Sequence, residues 1–280
     1  STLELIAPQS ATQISRLDNG VSVQLSNKRE LQARLLVGAE GRLSPSREEA
    51  GIQVSGWSYH QVGIVCTVRH ELPHQGIAQE RFLPSGPFAI LPLMGNRCSL
   101  VWTETDALAP VMMALDDDAF LAEIGKRFGD YLGELALEGP RWSYPLSLQI
   151  ADRYIDQRLA LAGDSAHGMH PIAGQGLNVG LRDVAALTEV LVDAARLGLD
   201  IGAPDVLERY QRWRRFDNAT LLAVTDVLNR LFSNDVEPLH LARDIGLAAV
   251  NKMPDLKKLF MRHARGTVGK LPKLLNGEPV

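Results

Sequence analysis

Apolar and polar positions alternate cleanly near the start of the chain. Val21, Val23 and Leu25 keep the two-residue period of a half-buried strand. Asp18-Asn19-Gly20 precedes them, and Asn-Gly accepts the positive φ of a tight turn, so 11–17 and 21–25 are predicted as a hairpin. Leu3 to Ala7 also has a strand pattern. Ala33-Arg34-Leu35-Leu36-Val37-Gly38-Ala39 is a nearly continuous apolar run, of the kind found in strands covered on both faces. Ser44-Pro45-Ser46 then starts a short helix closing near Gly51.

From about residue 55 the pattern is strand after strand, at 59–69, 77–83, 88–93 and 97–104, with Met94-Gly95-Asn96 turning the last pair. Helices are predicted near 106–115 and 117–128, the second capped by Asp116-Asp117-Asp118 at its positive end. A strand at 142–150 closes this section. Leu159-Ala160-Leu161-Ala162-Gly163 restores the buried-strand signature, and a long helix is predicted from Gly176 to Leu197. Helical periodicity continues through 204–232, 236–252 and 255–265. The expected plan is one α/β domain in two pieces, 1–54 and 151–198, around a β-rich insert at 55–150, with a helical region at 199–280.

Composition narrows the class. With 45% hydrophobic and 22% charged residues, the 280-residue chain is neither disordered nor collagen-like, and it is long enough for real cores. A net charge of −4 argues against a general nucleic-acid binder. Cys66 and Cys98 lie in apolar strand-like runs without a C-x-x-C, so reduced, buried thiols are expected. No run reaches the ~20 apolar residues of a membrane span. No signal peptide is visible, and a cytoplasmic protein is expected.

The chemistry concentrates in Leu159 to Asp183. A buried strand delivers Gly163-Asp164 at its carboxyl end, where open α/β sheets place ligands. Pro171 leads to Gly174-Gln175-Gly176 at a helix entrance, where glycines allow close approach and the positive helix end favours an electron-rich group. Asp164 offers an acceptor for ligand hydroxyls. A bare Gly-x-Gly would read equally as turn glycines before a helix. The stretch is not the dinucleotide fingerprint, because Val179 stands where the third glycine belongs. Asp164, His167 and His170 form a D-x-x-H-x-x-H spacing, but nothing completes a metal site and none is expected. Gly163-Asp164-Ser165 also permits a hydrolase reading with Ser165 as nucleophile, though the glycine of a nucleophile elbow is missing.

The run Gly163-Asp164-Ser165-Ala166-His167, followed by His170-Pro171-x-x-Gly174-Gln175-Gly176-x-Asn178-x-Gly180-x-x-Asp183, resembles the second flavin motif of the FAD-dependent aromatic hydroxylases of the para-hydroxybenzoate hydroxylase type. Leu231-Phe232-Ser233 and Arg243-Asp244-Ile245-Gly246-Leu247 resemble the ubiquinone-biosynthesis hydroxylases. The stretch from Glu80-Arg81-Phe82 to Trp102 is most similar to the 2-polyprenyl-6-methoxyphenol hydroxylase branch. The resemblance implies an α/β fold: a partial FAD-binding domain of the para-hydroxybenzoate hydroxylase type, a β-rich substrate domain and C-terminal helices. It implies FAD, NAD(P)H as electron donor, O₂ and a polyprenylated phenol. Gly163 and Asp164 would meet the ribityl chain; Pro171, Gly174, Gln175, Gly176, Leu177 and Asn178 would lie along the flavin ring; His170 and Pro171 would approach the substrate. No catalytic residue is assigned. The Val37-Gly38-Ala39-Glu40-Gly41-Arg42 segment resembles the family's Asp-Gly motif, with Glu40 in place of aspartate. Arg47 would pair with Glu40 or a phosphate, or else sit as a surface cation.

The family's amino-terminal G-x-G-x-x-G is missing, since Gly174-Gln175-Gly176 is the one G-x-G in the chain. The expectation is therefore a C-terminal fragment carrying the later half of the flavin domain, with weak or no FAD binding and no activity by itself. Another flavin hydroxylase, or a non-catalytic assembly module, is the alternative. Residues 252–273 hold seven lysines and arginines against Asp255 alone, suggesting either a solvated helix face or contact with an anionic inner-membrane surface or a biosynthetic complex. Trp57, Trp102 and Trp142 are expected in the core, and Arg212, Arg214 and Arg215 on a solvated helix face.

Overall fold

The computed structural model describes residues 3–171, 174–232 and 271–280. Ala11–Arg16 (β1), Val21–Leu25 (β2) and Glu30–Ala33 (β3) form an antiparallel sheet in that order. The predicted turn is present, with the Leu17 N–H donating to the Gly20 carbonyl at 2.8 Å. Val21, Val23 and Leu25 pack inward together, as their alternation requires. Residues 3–7 form no strand. Leu3 and Leu5 are exposed, and among the described residues no strand pairs with them.

Leu36–Gly38 (β4) is shorter than its apolar run and leads to the helix Pro45–Glu49 (α1). Ser44 caps α1, its hydroxyl accepting from the Arg47 N–H, and Pro45 sits where no N–H is needed. The long strand Val54–His70 (β5) is followed by Gln79–Leu83 (β6), Gly86–Leu93 (β7) and Arg97–Thr105 (β8). Two helices, Ala109–Ala114 (α2) and Asp117–Phe128 (α3), precede Leu135–Ala151 (β9). Asp116 caps α3, accepting from the Ala119 N–H at 2.8 Å. Ile155–Asp156 (β10), Leu159–Leu161 (β11) and the two-residue His167–Gly168 (β12) lead into Gly176–Arg196 (α4) and Pro204–Phe232 (α5).

Two further sheets result. β10, β11 and β4 lie in that order, with β11 and β4 parallel, so β4 is an edge among the described residues. Val37 is accordingly 42% exposed, and the expectation of cover on both faces is corrected. The larger sheet runs β12-β9-β5-β8-β7-β6. One of its faces carries Ile64, Cys66, Val68, Phe88, Ile90, Leu100 and Trp102 against Phe120, Ile124 and Phe128 of α3. The other face stays half open, and it takes Trp142, 57% exposed, whereas Trp102 is 1% exposed in the core. Trp57 is also exposed. The prediction of core tryptophans thus holds for Trp102 alone of the three, because the two-residue strand period decides face, not burial of that face. Cys66 and Cys98 are free and buried.

The predicted helices at 236–252 and 255–265, the Arg243–Leu247 segment and almost all of the basic stretch 252–273 lie outside the described residues. Among those described, no helix is long and apolar enough to cross a membrane.

Candidate functional site

The Leu159–Asp183 segment bridges the β10-β11-β4 sheet and the six-stranded sheet. β11 lies beside β4; a single 3-10 turn at Gly163–Ser165 follows; β12 then pairs with β9, His167 opposite Ile150 and Gly168 opposite Gln149. This crossing brings Pro171 and Gly174 beside the open face of the six-stranded sheet. At the strand end, Gly163 has φ +62°, and a Cβ added at Gly180 of α4 would lie 3.4 Å from the Gly163 Cα. That separation is ordinary van der Waals contact, and what Gly163 supplies is the left-handed backbone of the turn.

Asp164 stands at this strand end with a 43% exposed side chain. Arg42 lies against it, Nε to Oδ2 at 3.2 Å, and its other nitrogens donate to the Ser147 carbonyl and hydroxyl and to the Met169 carbonyl. Gly168 makes room for this: a Cβ there would meet the Arg42 guanidinium at 2.9 Å. Arg42 thus ties the strand-end carboxylate to β9 and to the loop. Arg42 stands inside the Asp-Gly-like motif, directly after the Gly41 that follows β4, and no local pattern points to this role.

Glu40 accepts from the Ser44 hydroxyl at 2.8 Å, from the Ser46 N–H at 3.2 Å, and from the Ser46 hydroxyl. Burial opposes its ionisation, but these hydrogen bonds outweigh burial and hold the carboxyl below its usual range. Arg47 does not pair with Glu40 and is no surface cation. It is buried and donates to the Ser165 carbonyl at 3.0 Å and the Arg42 carbonyl at 2.7 Å. Its long side chain reaches back under the loop because α1 packs directly behind it. Ser165 is fully buried with its hydroxyl towards Glu40 at 3.4 Å, which removes the hydrolase reading, since no substrate carbonyl can reach it.

The D-x-x-H-x-x-H residues turn to three different partners. His167, fully buried, meets Asp183 with Nε2 to Oδ2 at 2.6 Å. Asp183 also accepts from the Gly163 N–H at 3.0 Å, Arg214 Nε at 2.8 Å and Asn218 Nδ2 at 3.1 Å. Burial opposes charge on Asp183, but His167 and Arg214 more than compensate and hold it below the ordinary carboxylate range. Arg214 is therefore not on a solvated helix face: it is 1% exposed, buried by α5 against α4. His170 is also fully buried, its Nε2 3.2 Å from Gln61 Oε1 and its ring edge-on to Tyr59. Burial, with Arg42 nearby, lowers its pKa to about 4, so it is neutral at neutral pH. It has no exposed surface and so lies behind the loop rather than on the cavity wall. No cluster of three or more metal-ligating side chains occurs among the described residues.

Pro171, Gly174, Leu177 and Asn178 are exposed, and Gln175 is buried. Gly174 has φ +58°, and added Cβ atoms at Gly174 or Gly176 would meet nothing within 4 Å among the described residues, which leave space in front of the α4 entrance. Among the described residues no side chain caps the first turn of that 21-residue helix, where backbone N–H groups would suit a ligand. Beside it, a cavity of about 390 Å³ is walled by β6, β7 and β8 on one side and by Pro171 and Gly174 on the other.

A family described as FAD binding domain matches residues 10–222. Over 280 residues the chain is 56% identical to the ubiquinone hydroxylase UbiL of Rhodospirillum rubrum, covering 99% of this chain and 65% of that protein. It is 36% identical over 262 residues to the 3-demethoxyubiquinol 3-hydroxylase of Escherichia coli, covering 94% of this chain and 67% of that one. The chain thus spans about two thirds of the length of these relatives. Among solved structures, the Diels–Alderase PyrE3 of pyrroindomycin biosynthesis superposes with a TM-score of 0.77 at 22% identity, over 95% of this chain and 57% of that one, a likeness of fold alone.

Proposed function

From the premise that the chain belongs to the FAD binding domain family, together with ubiquinone-biosynthesis hydroxylases, we propose that it takes part in the FAD-dependent hydroxylation of a polyprenylated phenol. The observation that carries this reading is the juxtaposition of two features: the uncapped α4 entrance with its glycines, and a cavity of about 390 Å³ that shares Pro171 and Gly174 with it.

The residues present suit a flavin. Among the described residues nothing occupies the space that Cβ atoms at Gly174 and Gly176 would fill, and the N–H groups of α4 with its positive dipole favour the electron-rich end of a reduced ring. In this reading Gly163 and Asp164 hold the ribityl chain, with Arg42 fixing the Asp164 carboxylate. Pro171, Gly174, Gln175, Gly176, Leu177 and Asn178 border the ring, while Glu40 and Arg47 support the motif from behind. FAD, when bound, supplies the redox chemistry, with NAD(P)H as electron donor and O₂ as oxygen source. The chain's own residues bind, orient and shield. The phenol ring occupies the cavity at 390 Å³, and its tail leaves along the open sheet face near Trp142 and Tyr144, both exposed.

The domain plan is part of the same proposal: 1–54 and 151–198 as flavin-domain pieces, 55–150 as substrate domain and 199–280 as a helical region. Contact of 252–273 with an anionic membrane surface, or with a biosynthetic complex, also belongs to it.

Flavin fluorescence titration of the chain against Asp164→Ala tests the cofactor assignment. Losing a hydrogen-bonded charge should weaken FAD binding by roughly tenfold or more. Equal affinity for both proteins would remove Asp164 from the flavin site.

A further inference from the structure

The cavity beside the α4 entrance is apolar along most of its wall, through Pro87, Ala89, Leu91 and Val101. Two polar groups in it lack partners. Thr103 is fully buried, and its hydroxyl has no hydrogen-bond partner among the described residues. Glu80 forms no hydrogen bond or ion pair there, and burial is the one influence on its carboxyl. Strand register places them on one face: Glu80 stands opposite Ala89, Ala89 opposite Val101, and Thr103 lies two residues along β8 from Val101.

Each group is unfavourable as it stands. A buried hydroxyl without a partner loses hydration without compensation, and apolar walls beside a carboxyl disfavour its charged form. Glu80 as a residue is exposed at the mouth of the cavity, yet burial against the walls raises the pKa of its carboxyl to about 7. Among the described residues no charge faces it: β7 presents Pro87, Ala89 and Leu91, β8 presents Val101 and Thr103, and the loop presents Pro171 and Gly174. A ligand with one hydroxyl on an apolar ring would satisfy both groups and fill the rest.

We propose that Glu80 accepts the hydroxyl proton of the substrate phenol, with the Thr103 hydroxyl as second contact. This rests on the reading of the cavity as the phenol site. In the complex the phenol O–H donates to a Glu80 carboxylate oxygen. On transfer the O–H bond breaks, its electron pair stays on the phenol oxygen, and the proton is held as the Glu80 carboxylic acid. No oxidant is needed for this step, and the ring that remains is richer in electrons for oxygenation. A carboxyl titrating near 7 is a better match to a phenol near 10 than an ordinary glutamate near 4.

The test is calorimetric binding of a short-tailed 2-prenylphenol and of its O-methyl ether to the full chain with saturating FAD. The wild type should prefer the phenol by roughly tenfold or more above pH 7, as a charge-assisted hydrogen bond implies. That preference should decline as pH falls through about 7 and the carboxylate is protonated. Glu80→Gln should flatten the pH dependence and reduce the preference to a few-fold, and Glu80→Asp should restore part of it. Thr103→Val should weaken phenol binding and keep the pH dependence. A Glu80→Gln protein with the wild-type preference and pH profile would overturn the assignment of Glu80 alone. A wild type that binds neither ligand would overturn both this assignment and the phenol-site reading.

Discussion

Two packed regions of this molecule are built on different principles. Behind the six-stranded sheet, Ile64, Phe88, Leu100 and Trp102 meet Phe120, Ile124 and Phe128 in a core that is almost wholly apolar. Behind the Leu159–Asp183 segment, the apolar core of Leu159, Leu161, Leu187, Val190 and Tyr210 surrounds a buried ionic group: Asp183, His167, Arg214 and Asn218, all essentially without exposure. The first region needs only shape and volume. The second holds a backbone N–H, that of Gly163, at the strand end where Asp164 is presented. Apolar contacts are non-directional and tolerate small shifts. Charged hydrogen bonds fix distance and angle, which suits a strand end that must meet a ligand.

The sharpest way to break this contrast is Asp183→Ala. It leaves Arg214 buried without its main counter-charge, and loss of one partner of a buried pair costs about 3–5 kcal/mol. Urea unfolding should show that loss. The pH dependence should change with it. The folded-state pKa of Asp183 lies below its ordinary value, so its contribution is complete above the ordinary carboxylate range. It is lost progressively as pH falls below about 4. The variant should lose that part of the acid-side slope, whereas an unchanged slope would show that Asp183 contributes no charge-linked stability.

On the apolar side, Ile124→Val removes one methylene from α3 against the sheet and should cost about 0.5–1.5 kcal/mol, with no pH dependence. A loss as large as that of Asp183→Ala would erase the distinction between the two regions. Smallest of all, Leu177→Ser at the exposed α4 entrance should leave stability within about 0.5 kcal/mol of the parent in thermal unfolding, because Leu177 is 75% exposed.

Much of the fold was legible because it rests on periodicity. The β1–β2 hairpin, the α3 cap at Asp116 and the start of α4 at Gly176 all stand where short-range rules place them. The motif residues were legible as a set of residue types. Their neighbours were not. Arg214 carries the pattern of a surface cation in a charged helix, and its burial follows from α5 lying on α4 beside Asp183, 31 residues away in the chain. Arg42 reaches Asp164 across 122 residues, which no local window contains. Arg47 turned inward for a similar reason, since α1 packs behind the loop that carries Ser165. Leu3–Ala7 failed in the opposite sense, with a strand pattern that finds no strand to pair with among the described residues.

By itself the sequence determined the elements, the position of the glycines at a strand end and a helix entrance, and the kind of ligand those positions favour. These follow from backbone freedom and hydrophobic period, which act over a few residues. Tertiary structure alone decided which charges are buried together, that His170 is enclosed, and that Glu80 and Thr103 share an apolar cavity with Pro171 and Gly174. Those outcomes depend on which faces meet after strands pair in register. They are long-range because burial and electrostatic pairing are properties of the packed whole, not of any segment.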